Sequence, residues 1–169
     1  ESRQDLKAVA AGLGLPEDRF LAAFGSAASP EEIQAAGTVP ATALAVRCIR
    51  GSLPPSVPVW LARFSADIPG WDHPGAFHSS DIWFYFETLA KCWRPFTGRH
   101  YDLARQMCDA WANFIRTGSP GGASLPDWPP FILESPARME FADTARLTDA
   151  SPSPIEALLA ETWLDIHSR

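Results

Sequence analysis

Lysine is nearly missing from this sequence. Lys7 and Lys91 are the only two in 169 residues, no basic run occurs, and the formal net charge is -6. Phosphate backbones are bound by clustered Lys and Arg, so nucleic acid is excluded as an expected partner. Cysteine is scarce and odd in number, at Cys48, Cys92 and Cys108. Three thiols make no disulfide framework, and no pair has metal-ligand spacing. Each lies in or beside an apolar helical stretch, so all three are expected as buried free thiols, which selects no compartment. No apolar run approaches the roughly 18 residues that span a bilayer, so no membrane partner is expected. The opening residues Glu1-Ser2-Arg3-Gln4-Asp5 are polar, unlike a secretory leader. An initiating methionine is also missing, which fits either processing or a segment of a longer protein.

Several chemical signatures are absent too. There is no Gly-x-Ser-x-Gly nucleophile elbow. Gly25-Ser26-Ala27-Ala28 and Gly118-Ser119-Pro120-Gly121 have the wrong spacing and read as turns. No phosphate-cradling glycine loop with a lysine, no His-Glu-x-x-His and no Cys-x-x-Cys occurs, so neither a metal nor a cofactor is expected.

What is abundant is proline, with 16 residues, and tryptophan, with 7, in a chain that is 46% apolar. This is an ordinary globular composition, cut by prolines into short elements joined by ordered loops. Leu6, Val9 and Leu13 on a helical period give a helix from Asp5, ended by Gly14. Pro16-Glu17-Asp18 opens a helix through Phe24. Ser29-Pro30-Glu31-Glu32 has the cap, early proline and acidic first turn of a helix start, and Pro40 to Ile49 reads as a further helix. Val57 to Phe64 is rich in β-branched and aromatic residues and carries apolar groups on both faces, which predicts a strand buried in a sheet.

A loop from Ser65 to His78 follows, then an aromatic helix over Ser79 to Leu89 that Ser79, Ser80 or Asp81 can cap. Arg99 to Thr117 is the clearest amphipathic helix, with Leu103, Met107, Trp111, Phe114 and Ile115 expected inward and Gly118 as its stop. Met139-Glu140-Phe141 suggests a short strand. Pro154 to His167 reads as a terminal helix with Ile155, Leu158, Leu159 and Trp163 inward. One strand among many helices cannot satisfy its own backbone groups, which is a physical reason to expect an incomplete sheet.

Of four histidines, His167 is expected near solvent, His100 as a capping or surface residue, and His73 in a turn. His78 differs. It follows a strand by a loop and immediately precedes a helix, the position where α/β folds present chemistry.

The stretch Gly75-Ala76-Phe77-His78-Ser79-Ser80-Asp81-Ile82-Trp83-Phe84-Tyr85-Phe86 resembles the histidine motif of type-B carboxylesterases, the group of para-nitrobenzyl esterases, carboxylesterases and cholinesterases. Pro58-Val59-Trp60-Leu61-Ala62-Arg63-Phe64 is similar to the strand before that motif in the family. Trp111-Ala112-Asn113-Phe114-Ile115-Arg116-Thr117-Gly118-Ser119-Pro120, Trp128-Pro129-Pro130-Phe131 and Met139-Glu140-Phe141 resemble segments that follow it, in the same order.

The resemblance implies the C-terminal part of an α/β-hydrolase. It would be helix-rich, with one or two strands of the central sheet, and residues 1–169 would belong to a single hydrolase domain. It implies hydrolysis of a small-molecule carboxylic ester by a Ser-His-Glu/Asp triad in which His78 is the histidine. The nucleophile and the acid would lie in an N-terminal portion of the same esterase, covalently joined or a separate chain, so these residues alone are expected to be inactive. Neither Glu1 nor Glu17 sits in the family's acid motif. Asp81 and Ser79 are expected to support the loop, with Asp81 placed better for capping than for the triad. Phe77, Trp71 and Trp83 are candidates for the acyl or alcohol pocket, with core packing as the alternative, favoured for Trp83 by its place on a helix. The alternative function is a carboxylesterase-like binding or adhesion domain that has lost the triad. A free-standing helical module is a third reading, which the strand argues against.

Overall fold

The computed structural model describes residues 2–12, 14–24 and 45–167. In chain order its elements are helices α1 (Ser2–Gly12), α2 (Glu17–Phe24) and α3 (residues 45–52), strand β1 (Ala62–Phe64), the single-turn helix α4 (Ile82–Tyr85), a 3-10 turn at Leu89–Lys91, helix α5 (Gly98–Thr117), strands β2 (Ala137–Phe141) and β3 (Ala145–Asp149), and helix α6 (Pro154–His167). They form two compact units: Pro58–Ala150, and Glu1–Val57 together with Ser151–Arg169. The helix start expected at Ser29-Pro30, and the beginning of the one expected from Pro40, lie outside the described residues.

The discontinuous unit is helical. Gly14 takes a left-handed φ of +67°, and the Leu15 N–H donates to the Ala10 carbonyl at 2.9 Å, so a Schellman turn closes α1. Ser153 and Glu156 form a reciprocal capping box at the start of α6. The Glu156 N–H donates to Ser153 Oγ at 3.2 Å, and the Ser153 N–H donates to the Glu156 carboxylate at 2.9 Å. Leu6, Leu15 and Phe20 make one buried cluster with Ile155, Leu158 and Leu159.

The Pro58–Ala150 unit holds the sheet. β1 pairs in parallel with β2, and β2 pairs antiparallel with β3, giving the order β1-β2-β3. The expected strand from Val57 shrinks to Ala62–Phe64. Pro58 has no N–H to donate, and upstream of Ala62 only isolated bonds reach out, from Phe131 N to Val59 O (2.6 Å) and from Met139 N to Leu61 O (3.0 Å). Its neighbour is β2, a partner the sequence does contain, and its burial is partial: Ala62 and Arg63 are exposed. β3 is an addition to the one or two strands expected.

Helix α5 forms where its periodicity predicts, and Gly118 ends it in the left-handed conformation at φ +76°. Its buried face is rotated from the expected one. His100, Leu103, Ala104, Met107 and Ala110 are buried. Trp111 and Phe114 sit at the edge of that stripe, against Tyr85 and Trp60, and Ile115 is 70% exposed. Small Ala104 and Ala110 let the helix lie close to the core and move the large side chains to the margin. Phe84 of α4 is fully buried, between Phe64 (ring centroids 5.0 Å) and Phe96 (5.7 Å). Cys48, Cys92 and Cys108 are free but only partly buried. Burial pushes the Cys108 thiol above its ordinary range, an effect reinforced by Glu87 and Asp109, which makes it less nucleophilic.

Candidate active site

The segment carrying His78 is rooted at the C-terminal end of β1. There the Ser65 N–H donates to the Phe141 carbonyl (2.8 Å), and Ser65 Oγ donates to the Glu140 carboxylate (2.8 Å). Burial raises the Glu140 carboxyl, but hydrogen bonds from Ser65 and Arg146 outweigh it and hold the group below its usual range. Ala66 and Ile68 are buried in the core, and the chain then leaves the sheet as a loop.

The loop ends in a tight turn, Phe77 to Ser80. The Ser80 N–H donates to the Phe77 carbonyl at 3.0 Å, and Ser79, the third residue of the turn, takes a φ of +66°. The Ser80 side chain is fully buried and closes the turn a second time. Its hydroxyl donates to the Phe77 carbonyl (2.7 Å) and accepts the Phe77 N–H (3.1 Å). His78 therefore stands at the exposed tip of a doubly closed turn. Its Nδ1 lies 2.6 Å from the Ser79 hydroxyl, in a hydrogen bond that engages this nitrogen.

The expected helix from Ser79 to Leu89 is cut at both ends to Ile82–Tyr85. The turn takes up Ser79 and Ser80. At the other end Glu87 adopts a left-handed φ of +49°, while the Thr88 N–H reaches back to the Trp83 carbonyl at 2.9 Å. Asp81 occupies the N-cap position without a side-chain cap bond, so the expected capping role falls away. Its carboxylate acts at a distance instead: burial first, then Asp81, pushes the Tyr85 hydroxyl up to about 12.

The aromatic candidates separate. Phe77 is 39% exposed, and its ring meets Trp83 edge-on at 5.8 Å. Trp83 is half-buried and also packs against Phe96 at 6.1 Å, so it joins the core margin. Trp71 is 86% exposed and makes no ring contact among the described residues. His100 belongs to the fold rather than to this site. It is buried at the start of α5 and accepts the Thr97 N–H on Nδ1 at 2.9 Å. Burial and neighbouring Arg99 hold it below the ordinary imidazole range, in the neutral form that such acceptance requires. Residue types alone offered Ser80 only as a helix cap and did not single out Asp72 and Arg94, which bind each other.

Among known proteins, a model of the carboxylesterase family matches residues 27–154. The chain belongs to the carboxylesterase family. The type-B resemblance read from the histidine motif agrees with this. Similar members include the human cocaine esterase, 35% identical over 84 residues, which cover 46% of this chain and 15% of that protein. Bos taurus carboxylesterase 4A is 38% identical over 81 residues, covering 43% of this chain and 14% of that protein. The chain thus matches about a seventh of the length of these relatives. A solved carboxylesterase from Geobacillus stearothermophilus superposes with a TM-score of 0.60 at 24% identity, covering 91% of this chain and 34% of that one. The fold of this carboxylesterase-family chain is accordingly part of an α/β-hydrolase.

Proposed function

We propose that this chain supplies the histidine of a Ser-His-Glu/Asp triad for hydrolysis of carboxylic esters, and that His78 is that residue. The observation that carries the reading is the turn itself: an exposed imidazole at the tip of a loop leaving the C-terminal end of a parallel strand, closed twice by Ser80. Such a group can take a proton from a serine hydroxyl through Nε2, return it to the leaving alcohol, and then activate water against the acyl-enzyme. An ordinary imidazole titrates near neutrality and suits both directions of transfer. The carboxylate of the triad would take the place at Nδ1 that the Ser79 hydroxyl occupies here.

The nucleophile and the acid belong, on this reading, to an N-terminal portion of the same esterase, and both compact units belong to one hydrolase domain with it. The 169 residues contain no Gly-x-Ser-x-Gly, so the chain alone should be inactive. The unpaired edge of β1 supports this. In a parallel pair successive residues bond to opposite sides, and Leu61 and Ser65 face β2. The backbone groups of Ala62 and Phe64 therefore face away from β2, where no strand pairs with them among the described residues.

The test is hydrolysis of para-nitrophenyl butyrate by the complete esterase. His78→Gln should lower kcat by about 10^4–10^6-fold while leaving the protein folded, as removal of a triad histidine does. Retention of wild-type turnover by that variant would remove His78 from the mechanism.

A further inference from the structure

Between Ile68, the last core anchor, and the Phe77–Ser80 turn lie eight residues with no regular secondary structure. His73 and Gly75 both take positive φ there, and one backbone bond within the stretch, from His73 N to Gly70 O, is long at 3.4 Å. What gathers the stretch is a single side chain from beyond the 3-10 turn. Arg94 donates through Nη1 to the Pro69 carbonyl (3.1 Å) and to Asp72 Oδ1 (3.0 Å), and through Nη2 to Asp72 Oδ2 (2.9 Å). Its side chain is only 8% exposed and that of Asp72 33%. The guanidinium also lies over the ring of Phe77, the residue before His78, at 5.5 Å, and over Trp93 at 4.6 Å. Gly70 leaves room for this arrangement: a Cβ there would strike both the Asp72 carboxylate and the Arg94 guanidinium.

We propose that Arg94 is a positioning residue for the ester-hydrolysing histidine, clamping the Pro69–Phe77 loop through Asp72 and Phe77 and so fixing where the turn presents His78. This rests on the reading of His78 given above. The clamp needs what arginine alone combines: a planar fork that meets a carboxylate at two points, and a face that lies on an aromatic ring. A lysine would keep the charge and lose both. The chemical consequence follows from geometry, since a reacting group displaced by about 1 Å can cost about 100-fold in rate.

The experiment uses the complete esterase with para-nitrophenyl butyrate as probe and His78→Gln as reference. Arg94→Ala, Arg94→Lys and the isosteric Asp72→Asn should each lower kcat about 10–100-fold, leaving KM within about twofold. The double variant Arg94→Ala/Asp72→Asn should be no slower than the worse single one, because both break one clamp. Millimolar guanidinium added to Arg94→Ala should restore part of kcat, a response that lost folding stability would not give. Asp72→Asn changes neither size nor shape and carries the test if Arg94→Ala does not fold. The proposal is overturned by an unchanged kcat in Asp72→Asn, by losses that multiply in the double variant, or by an effect confined to KM. If His78→Gln keeps its activity, the reading of His78 fails and the clamp proposal falls with it. If His78→Gln is dead while the clamp variants are normal, only the clamp fails.

Discussion

Removing one buried oxygen tests whether the turn around His78 is held as described. In Ser80→Ala the Phe77 carbonyl keeps a partner, because it also accepts the Ser80 N–H at 3.0 Å. The Phe77 N–H does not: its bond in the structure is to Ser80 Oγ at 3.1 Å. Ser80 is fully buried, but its bond to the Phe77 N–H is only part-buried, so water reaches the freed donor in part. An unsatisfied buried N–H costs about 1–3 kcal/mol, and partial hydration of this one places the variant roughly 1–2 kcal/mol below wild type. Urea unfolding of the complete enzyme should show this as a lower midpoint with an unchanged slope. Where the loosening falls on the turn itself, kcat for para-nitrophenyl butyrate should drop by up to about 30-fold at constant KM, since each 1.36 kcal/mol is worth tenfold. Ser79→Ala is the control: its exposed hydroxyl touches the imidazole and closes no turn, so its stability should stay within about 0.5 kcal/mol. A Ser80→Ala enzyme within about 0.5 kcal/mol of wild type and equally fast would refute the reasoning, because the hydroxyl would then not be holding the histidine turn.

Acid should open the loop clamp late. Hydrogen bonds from Arg94 outweigh burial and hold the Asp72 carboxyl below its usual range, so the clamp is intact above the ordinary carboxylate pKa of about 4 and is lost as pH falls through the depressed folded value. NMR titration of the Asp72 carboxyl should therefore place its midpoint below the ordinary value in wild type and move it back up in Arg94→Ala; equal midpoints in the two would contradict it. In the core, Phe84→Ala removes a fully buried ring wedged between Phe64 and Phe96 and should cost about 3–5 kcal/mol in urea unfolding. A cost below about 1.5 kcal/mol would show that the ring is not part of a close-packed core.

The elements best legible in the sequence are those whose signals are local. Helix α5 carries its own period and a glycine stop at Gly118, and α6 has an apolar stripe at Ile155, Leu158 and Leu159. What the sequence hides is set by partners distant along the chain. Ala145-Arg146-Leu147-Thr148-Asp149 has little strand character of its own, and even Leu147 is exposed; it is a strand because β2 lies antiparallel to it, with Arg146 of β3 and Ser65 after β1 both reaching the Glu140 carboxylate between them. The helix expected over Ser79 to Leu89 fails through two contrary local choices, a serine hydroxyl that captures the turn and a glutamate held left-handed where a glycine would have announced the stop.

The same division runs through the candidate site. His78 stands out in the sequence as a candidate because it falls between a strand loop and an aromatic segment and its flanks resemble a family motif. Its supports do not, because their meaning is geometric. Ser80 reads as one more cap candidate until its hydroxyl is seen to hold both backbone groups of Phe77. Asp72 and Arg94 stand 22 positions apart, in a turn and after a 3-10 helix, with no spacing that announces a pair. Two of the supports under the exposed imidazole are of this kind: Ser80 closes the turn on which it sits, and the Asp72–Arg94 pair binds the loop that leads to it. A substitution at Ser80 and one at Asp72 should therefore weaken the same property at two successive joints. Because the joints are in series, either one loosened is enough to let the histidine wander.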